Sequence, residues 1–401
     1  VSAPARARLA HLTTADISLA LLLGLQMRAY DEAGYDVTGI SAPGRWVGEI
    51  EAAGVRHIPI STLRRSWAPL SDLRAFVELI RLFRRERFDI VHTHAPKTGV
   101  LGRIAARLTG VPVVVNTVHG LYGTDGGALR RAVFLFLERI AAKCSDFEFC
   151  QSSEDLDTLR RLRIVRPDRS MAIGNGVDLT VFDRSAAARA ATRAALGVDN
   201  STLIIGSVGR MVWEKGYREV FAAAERIHAT HPKVCWIVAG PIEGDKADAI
   251  PPDLIADLDR RGVIKFLGLR TDMRDLYAAM DLYVLASYRE GYPRSAVEAA
   301  VMGLPLIVTE IRGCRELVAH ERNGLLVPPR DAEALEAAVR RLVDDVPLRE
   351  RLATRNRLDA PGRFDERRII ASVLDVYDRL RAERGLGHAA GGLNQKSVAG
   401  R

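Results

Sequence analysis

The chain lacks the features of a membrane-spanning, secreted or nucleic-acid-binding protein. Its longest apolar run near the start, residues 17–25, falls well short of the ~20 residues that a spanning helix needs. A strand pattern precedes that run and folding sequence follows directly, which argues against a signal peptide. Only four cysteines occur, Cys144, Cys150, Cys235 and Cys314. They show no CxxC or metal spacing and have core-like flanks, which points to reduced thiols of a cytoplasmic protein. There is no zinc-finger spacing, no RNP-like strand and no long basic tail, so nucleic acid is not an expected partner. Charge is abundant, with a formal net charge of +8. That excess favours an anionic partner such as a sugar nucleotide or an anionic lipid surface. With 401 residues, 48% of them hydrophobic, the chain suits two packed domains.

Strand and helix patterns alternate with short links. Runs 9–13, 36–40, 57–60, 90–93, 113–118 and 147–151 read as strands, with helices between them that include 18–33, 70–87 and 100–108. A second series of strands follows at 203–208, 234–239, 264–266, 282–285, 306–308 and 324–327. This alternation predicts an α/β chain of two parallel sheets covered by helices. The alanine- and arginine-rich segment from Asp183 sets the expected boundary, giving domains 1–182 and 183–364. A last helix is expected at 365–384. Residues 385–401, glycine-containing and poor in apolar side chains, read as disordered. Ligands collect at the carboxyl ends of strands in such sheets. In the first half those ends carry Thr13-Thr14, His92-Thr93-His94 and Val118-His119-Gly120.

Residues 289–308 read REGYPRSAVEAAVMGLPLIV. Gly291 and Pro293 break regular structure after Glu290, and Pro293 suits a helix start, where its missing N–H is no loss. Residues 294–302 read as helix stopped by Gly303, and 306–308 as a buried strand. Glu290 then stands just before a helix and Glu298 about a turn inside it. The free N–H groups at that helix start suit an anion. A sugar nucleotide needs such a set: one acid for sugar hydroxyls, another for ribose hydroxyls, and a helix end for the diphosphate. Two solvated glutamates would share the spacing. Upstream, SVGRMVWEKGY at 207–217 sets Arg210 and Lys215 at a strand end. Two cations there can neutralise a diphosphate leaving group, Arg as a planar fork and Lys as a point charge. A solvated basic loop is the plain alternative.

The string around Glu290 and Glu298, continued by MGLPLIVTEIRGCRELV and NGLLVPPRDAEALEAAVRRLVDD, resembles the E-x7-E signature of retaining glycosyltransferases of family 4. The likeness extends over most of the chain. It implies the GT-B fold, two Rossmann-like domains facing an interdomain cleft, with the final helix returning to the first domain. It also implies that Glu290 faces the donor sugar, Glu298 the ribose, and Arg210 with Lys215 the donor diphosphate. Gly291, Tyr292, Arg294 and Ser295 would line the donor. Gly268 and Leu269, with Arg270, would lie at the base, and His119 would reach the reacting sugar. The family usually has Gly-Phe-Gly after its first glutamate. Here Gly291-Tyr292-Pro293 stands instead, so Pro293 removes one backbone donor and those of 294–296 remain. Asn175-Gly176-Val177-Asp178 resembles the family's stretch at the interdomain crossing, with Gly176 expected at positive φ. Many members carry a Gly-Gly loop where this chain has Thr13-Thr14-Ala15-Asp16. That loop is left to shape an acceptor pocket, with Asp16 as its contact. His92 and His94 fit acceptor or structural roles, and no further zinc ligand is evident beside them.

The resemblance implies metal-independent, retaining transfer from a nucleoside-diphosphate sugar, a UDP-sugar by the family's habit, to an acceptor hydroxyl. The acceptor expected is a saccharide or polyprenyl-linked saccharide of cell-envelope polysaccharide or glycan assembly. No cofactor beyond the co-substrate is expected. A GT-B sugar-nucleotide epimerase and a non-catalytic carbohydrate- or lipid-binding protein are the alternatives. Products formed without acceptor separate the first. Intact Arg210, Lys215, Glu290 and Glu298 argue against the second. In the helix at 70–87 the stripe Leu70, Leu73, Phe76, Val77, Ile80 and Phe83 is expected to pack inward. Arg64, Arg65, Arg74, Arg81, Arg85, Arg87 and Trp67 would form a rim suited to the anionic inner leaflet of the plasma membrane.

Overall fold

The computed structural model of the protein describes residues 6–64, 67–94, 96–121, 127–183, 185–242 and 248–387. Arg65, and residues 388–401 of the expected tail, lie outside the described residues. The chain divides after Gly174 and again after Glu366. The first unit holds the stretches before and after those points, and the second holds residues 175–366.

The first unit contains β1 (Ala7–Ala15), β2 (Tyr35–Ala42), β3 (Arg56–Pro59), β4 (Ile90–His94), β5 (Val113–Val118), β6 (Phe147–Cys150) and β7 (Ser170–Ala172). They form one sheet in the order β3-β2-β1-β4-β5-β6-β7, with parallel pairing throughout. The second unit contains β8 (Leu203–Val208), β9 (Val234–Ala239), β10 (Ile264–Phe266), β11 (Leu282–Leu285), β12 (Leu306–Thr309) and β13 (Gly324–Val327). Their order is β10-β9-β8-β11-β12-β13, again parallel. In each sheet the chain winds outward one way, then returns and winds the other. The order therefore reverses between β1 and β4, and between β8 and β11, and ligands settle at such points. The second-sheet strands lie where the sequence puts them, because strands buried on both faces need near-continuous apolar runs.

The helix Glu366–Glu383 sends Ile369, Ile370, Val373, Val376, Tyr377 and Leu380 into the core beneath the first sheet. The crossing into the second unit comes eight residues before the expected one, after Gly174 rather than 182. Val177 is fully buried there and its N–H donates to the Phe364 carbonyl (2.9 Å), which ties this stretch to the second unit. Gly176 is not the positive-φ residue; Gly174 is, at φ 70°. Gly176 is needed for closeness, since a Cβ there would lie 2.7 Å from Glu366 Cα.

Three other differences concern helices. The expected helix at 18–33 is a π turn, Ser18–Leu22, followed by a helix Gly24–Glu32, broken where Gly24 disfavours continuous helix. Helices Ser153–Arg161, Pro252–Arg260 and Val346–Phe364 were not expected, the last running through Pro361. The helix Pro69–Glu86 buries Asp72, Ala75, Leu79, Leu82, Phe83 and Glu86 and leaves Leu70 and Leu73 exposed. Its rotation follows buried Asp72, which accepts the Ala68 N–H (2.9 Å) and pairs with buried Lys97 (2.6 Å). All four cysteines are unpaired.

Candidate functional site

In the second unit β8, β11 and β12 end side by side. β8 runs into Gly209 and Arg210, and the Tyr217 hydroxyl fixes that turn by donating to the Gly209 carbonyl (3.0 Å). Arg210 is partly exposed on the turn. A short 3-10 turn, Trp213–Lys215, ends at Gly216 with φ 74°. A Cβ at Gly216 would lie 1.9 Å from the Ala286 carbonyl oxygen, so conformation and closeness both demand glycine. That approach brings Lys215 onto the loop leaving β11. Its Nζ lies 2.5 Å from Glu290 Oε1, and the Ser287 hydroxyl donates to the same oxygen (2.7 Å). The two side chains are only 17% and 10% exposed, so a cation and an anion neutralise each other at this edge.

The end of β12 completes the edge. The Thr309 hydroxyl donates to the Ser287 carbonyl (2.5 Å). After it, Gly313 (φ 75°) closes on the loop, where a Cβ would lie 2.2 Å from the Gly291 carbonyl oxygen. Sequence reasoning missed Ser287, Thr309 and Gly313. Only Gly313, in the turn after an apolar strand, carried a local signal.

The helix Arg294–Val301 follows, with Pro293 at its N-cap position and no side chain capping it. The N–H groups of Ala296 and Val297 both reach the Pro293 carbonyl (3.1 Å each). Of the backbone donors expected at 294–296, that of Ala296 is therefore committed. Both oxygens of Glu298 are held: Arg294 Nε donates to Oε1 (3.0 Å) and the Tyr277 hydroxyl to Oε2 (3.0 Å). Burial pushes the Tyr277 hydroxyl well above its ordinary pKa, and the charge of Glu298 adds to this. For Arg294 burial opposes the charge, but Glu298 and Glu366 outweigh it and raise the guanidinium pKa. Ser295 accepts from the Tyr283 hydroxyl (2.7 Å). Tyr292 is half-buried, its hydroxyl pushed up to about 12 mainly by burial, and its carbonyl accepts from the Asn175 amide (3.3 Å). Gly268 (φ 62°) follows β10, and its carbonyl accepts the Gly240 N–H (2.8 Å). Leu269 is exposed beside it. Arg270 is committed to Asp272 (2.7 Å).

In the first unit parallel pairing gathers four histidines from three strand ends. β1 and β4 pair His11 with His92, and β4 and β5 pair His94 with Thr117. His11, His92 and His94 are buried and offer nitrogens within 4.8 Å of one another. The third histidine that the sequence did not supply comes from β1, through long-range pairing that spacing cannot reveal. Yet His92 and His94 have no spare lone pair for a metal. His92 bonds Thr117 Oγ1 (2.7 Å) and the Tyr377 hydroxyl. His94 bonds His11 and His119 (3.0 and 3.1 Å). The His92 and His94 rings also stack, with centroids 4.3 Å apart, rather than converging edge-on. These residues do not fit a bound ion without breaking that network.

The expected acceptor contacts Asp16 and His94 are both turned to the protein. Asp16 accepts the Trp46 N–H (2.8 Å) and presses on Gly44, where a Cβ would lie 2.3 Å away. His119 stays partly exposed at the end of β5. Tyr122 and Gly123, which follow it in NTVHGLYG, lie outside the described residues.

Two family models match the chain: one described as glycosyl transferases group 1, over residues 188–359, and one as a glycosyl transferase 4-like domain, over residues 23–176. The UDP-Gal:alpha-D-GlcNAc-diphosphoundecaprenol alpha-1,3-galactosyltransferase of Escherichia coli is 33% identical over 294 residues, which are 73% of this chain and 76% of that protein. The capsular polysaccharide biosynthesis glycosyltransferase CapM of Staphylococcus aureus is 25% identical over 93% of this chain and 97% of its own. Among solved structures, HepE of Anabaena in complex with UDP and glucose superposes with a TM-score of 0.79 at 21% identity, covering 93% of this chain and 100% of that one.

Proposed function

We propose a function for this chain from one premise: it belongs to the group 1 glycosyl transferases and is a glycosyltransferase of GT-B fold. It moves a sugar from a UDP-sugar to a hydroxyl of a saccharide carried on a polyprenyl diphosphate, in the assembly of a cell-envelope glycan. The bond from the anomeric carbon to the β-phosphate oxygen breaks, and a bond to the acceptor oxygen forms on the same face. The acceptor proton passes to the departing diphosphate, and UDP leaves. The observation that carries this reading is the Lys215–Glu290 pair at the carboxyl edge of the second sheet, with Glu298 one helix turn beyond. Lys215 and Arg210 stabilise the negative charge that develops on the diphosphate, a task metals perform in other transferases. Glu290, with Gly291 and Tyr292, holds sugar hydroxyls. Glu298 holds the ribose, and Arg294 and Ser295 support that helix start. Gly268 and Leu269 border the base.

The test is incubation of the purified protein with UDP-galactose, with and without N-acetylglucosamine-diphosphoundecaprenol, in chelator. The expected outcome is UDP release that depends on acceptor, an α-linked product and no loss of rate in chelator. Interconverted UDP-sugars without acceptor would show an epimerase instead, a β-linked product would overturn retention, and rescue only by a divalent ion would overturn metal independence.

Among the described residues no helix is long and apolar enough to cross a membrane; the proposed polyprenyl acceptor points to docking on a membrane surface. Exposed Trp67, Leu70 and Leu73, with Arg74 and Arg81, support the rim first assigned to the helix Pro69–Glu86. A stronger surface was missed. The helix Ala128–Ala142 exposes Leu129, Val133, Phe136 and Ile140 in one stripe, with Leu129 80% exposed and Phe136 61%. Arg130, Arg139 and Lys143 flank it, and its one acid, Glu138, is buried on Arg103. An apolar stripe between cations suits the boundary of an anionic bilayer. Replacing Leu129 and Phe136 by serine should remove about 3 kcal/mol of apolar burial, a roughly hundredfold fall in partitioning. Co-sedimentation with phosphatidylglycerol-containing vesicles at low salt measures it. Equal sedimentation of both proteins would reject this surface.

A further inference from the structure

Buried His11 and His94 and partly exposed His119 form an unbroken chain of imidazoles. His11 Nδ1 lies 3.0 Å from His94 Nε2, and His94 Nδ1 lies 3.1 Å from His119 Nε2. His11 is further stacked between the rings of Tyr30 and His94 (centroids 5.4 and 5.3 Å). Burial drives all these rings to the neutral form, His11 down to about 3 and His119 to about 4, with His94 also well below its ordinary value. A neutral imidazole has one N–H and one bare nitrogen. Each link therefore holds one proton, and the protons run along the chain in one direction or the other.

The buried end of the chain chooses the direction, and the other end accommodates it. His11 Nε2 is buried and has no hydrogen-bond partner among the described residues. If the chain ran from His119 towards His11, that atom would be an N–H with no acceptor. Run the other way, it is a bare lone pair, and buried orphan donors are the rarer and costlier case. At the other end the Gln151 side chain bonds His119, and its amide can offer the carbonyl oxygen that this direction needs at Nδ1.

We propose that His11 and His94 are positioning residues that fix His119 as its Nδ1–H tautomer, with Nε2 occupied inside the protein. His119 then offers a ligand at the end of β5 no bare nitrogen. With its one N–H committed to the Gln151 carbonyl oxygen, it holds the Gln151 amide N–H2 in one orientation for a ligand, and it is not a base for the acceptor hydroxyl. The tautomer lock stands on the geometry of the first unit alone. Its use in transfer rests on the reading under Proposed function. Other ionisable groups at this end include His92, Arg103 and Glu138, the last two paired with each other (2.6 Å).

The test is ring nitrogen–proton correlation on the full-length protein labelled with 15N-histidine. His11, His94 and His119 should each appear as the Nδ1–H tautomer, without titrating between pH 8 and 5.5. In His94→Ala, His119 should lose its fixed tautomer, its ring proton exchanging between Nδ1 and Nε2. His94→Asn, whose amide nitrogen stands close to the former Nδ1, should restore it. Acceptor-dependent UDP release from UDP-galactose should fall at least tenfold in His94→Ala and recover in His94→Asn. His11→Phe, which keeps the stacking but cannot donate, should release the His94 tautomer while circular dichroism stays native. A bare His119 Nδ1 in the wild type, or an unchanged His119 signal in His94→Ala, would overturn the lock. A lock that forms while His94→Ala keeps full UDP release would overturn its role in transfer. Absence of UDP release in the wild type would count against the transferase substrates and leave the ring signals to decide the lock.

Discussion

Lys215→Ala is expected to lower kcat/KM for the sugar nucleotide by about 10²–10³, or about 2.7–4 kcal/mol, the usual loss when one stabiliser of developing charge is removed. Lys215 is held before the ligand arrives by Glu290 (2.5 Å) and by the Gly216 turn pressed against Ala286. Little ordering therefore remains when diphosphate replaces the carboxylate as its partner. Arg210→Ala should follow the same direction. The glutamates should separate by kinetics. If Glu290 holds the reacting sugar as proposed, Glu290→Ala should lower kcat even at saturating donor, whereas Glu298→Ala should chiefly raise KM for the donor. Initial rates at subsaturating and saturating sugar nucleotide resolve the four variants. Near-wild-type rates for both Lys215→Ala and Arg210→Ala at subsaturating donor would remove the diphosphate from this edge.

What the sequence disclosed about this edge was local. Glu290, the break at Pro293 and the helix carrying Glu298 lie within one short string, so their order along the loop and helix was readable from turn and helix chemistry alone. Most strands of the second sheet were readable because they are near-continuous apolar runs, as in VCWIVA, LYVL and LIVT. What was hidden depends on parallel register and rotation. Lys215 meets Glu290 across 75 positions, and His11 meets His94 across 83. No periodicity reports such meetings. The exposed stripe on the helix Ala128–Ala142 was hidden for another reason. That helix is apolar on two faces, so pattern alone cannot say which one the sheet covers. Asp16 and His94, the expected acceptor contacts, are bonded to the protein itself, which the sequence did not disclose.

The same logic puts the largest stability effect away from the donor edge, at Arg103. Its guanidinium is 1% exposed and pairs with Glu138 and Glu148 at 2.6 Å each, while its Nε donates to the Gly99 carbonyl (2.7 Å). Asn116 donates to the second oxygen of Glu148 (2.7 Å) and accepts from the Thr93 hydroxyl (2.8 Å), so the network runs directly beneath the histidine strands. Arg103→Met should destabilise the protein by about 3–5 kcal/mol at neutral pH, because two buried carboxylates lose their cation. Burial already pushes the Glu148 pKa upward, with Arg103 opposing it. Without Arg103 the folded-state value rises further above the unfolded one. The variant then binds more protons folded than unfolded, so its deficit relative to wild type should shrink as pH falls below that raised value. Loss of the neutral buried histidines weakens both proteins in acid and cancels in the difference. Urea unfolding at pH 7.5 and 5.5 measures this. A second comparison, Arg103→Met with Glu138→Gln and Glu148→Gln, should regain much of the loss, since removing all the charges leaves no unpaired ion. A deficit that grows on acidification, or a triple variant no better than Arg103→Met, would mean that the arginine acts by packing rather than by charge.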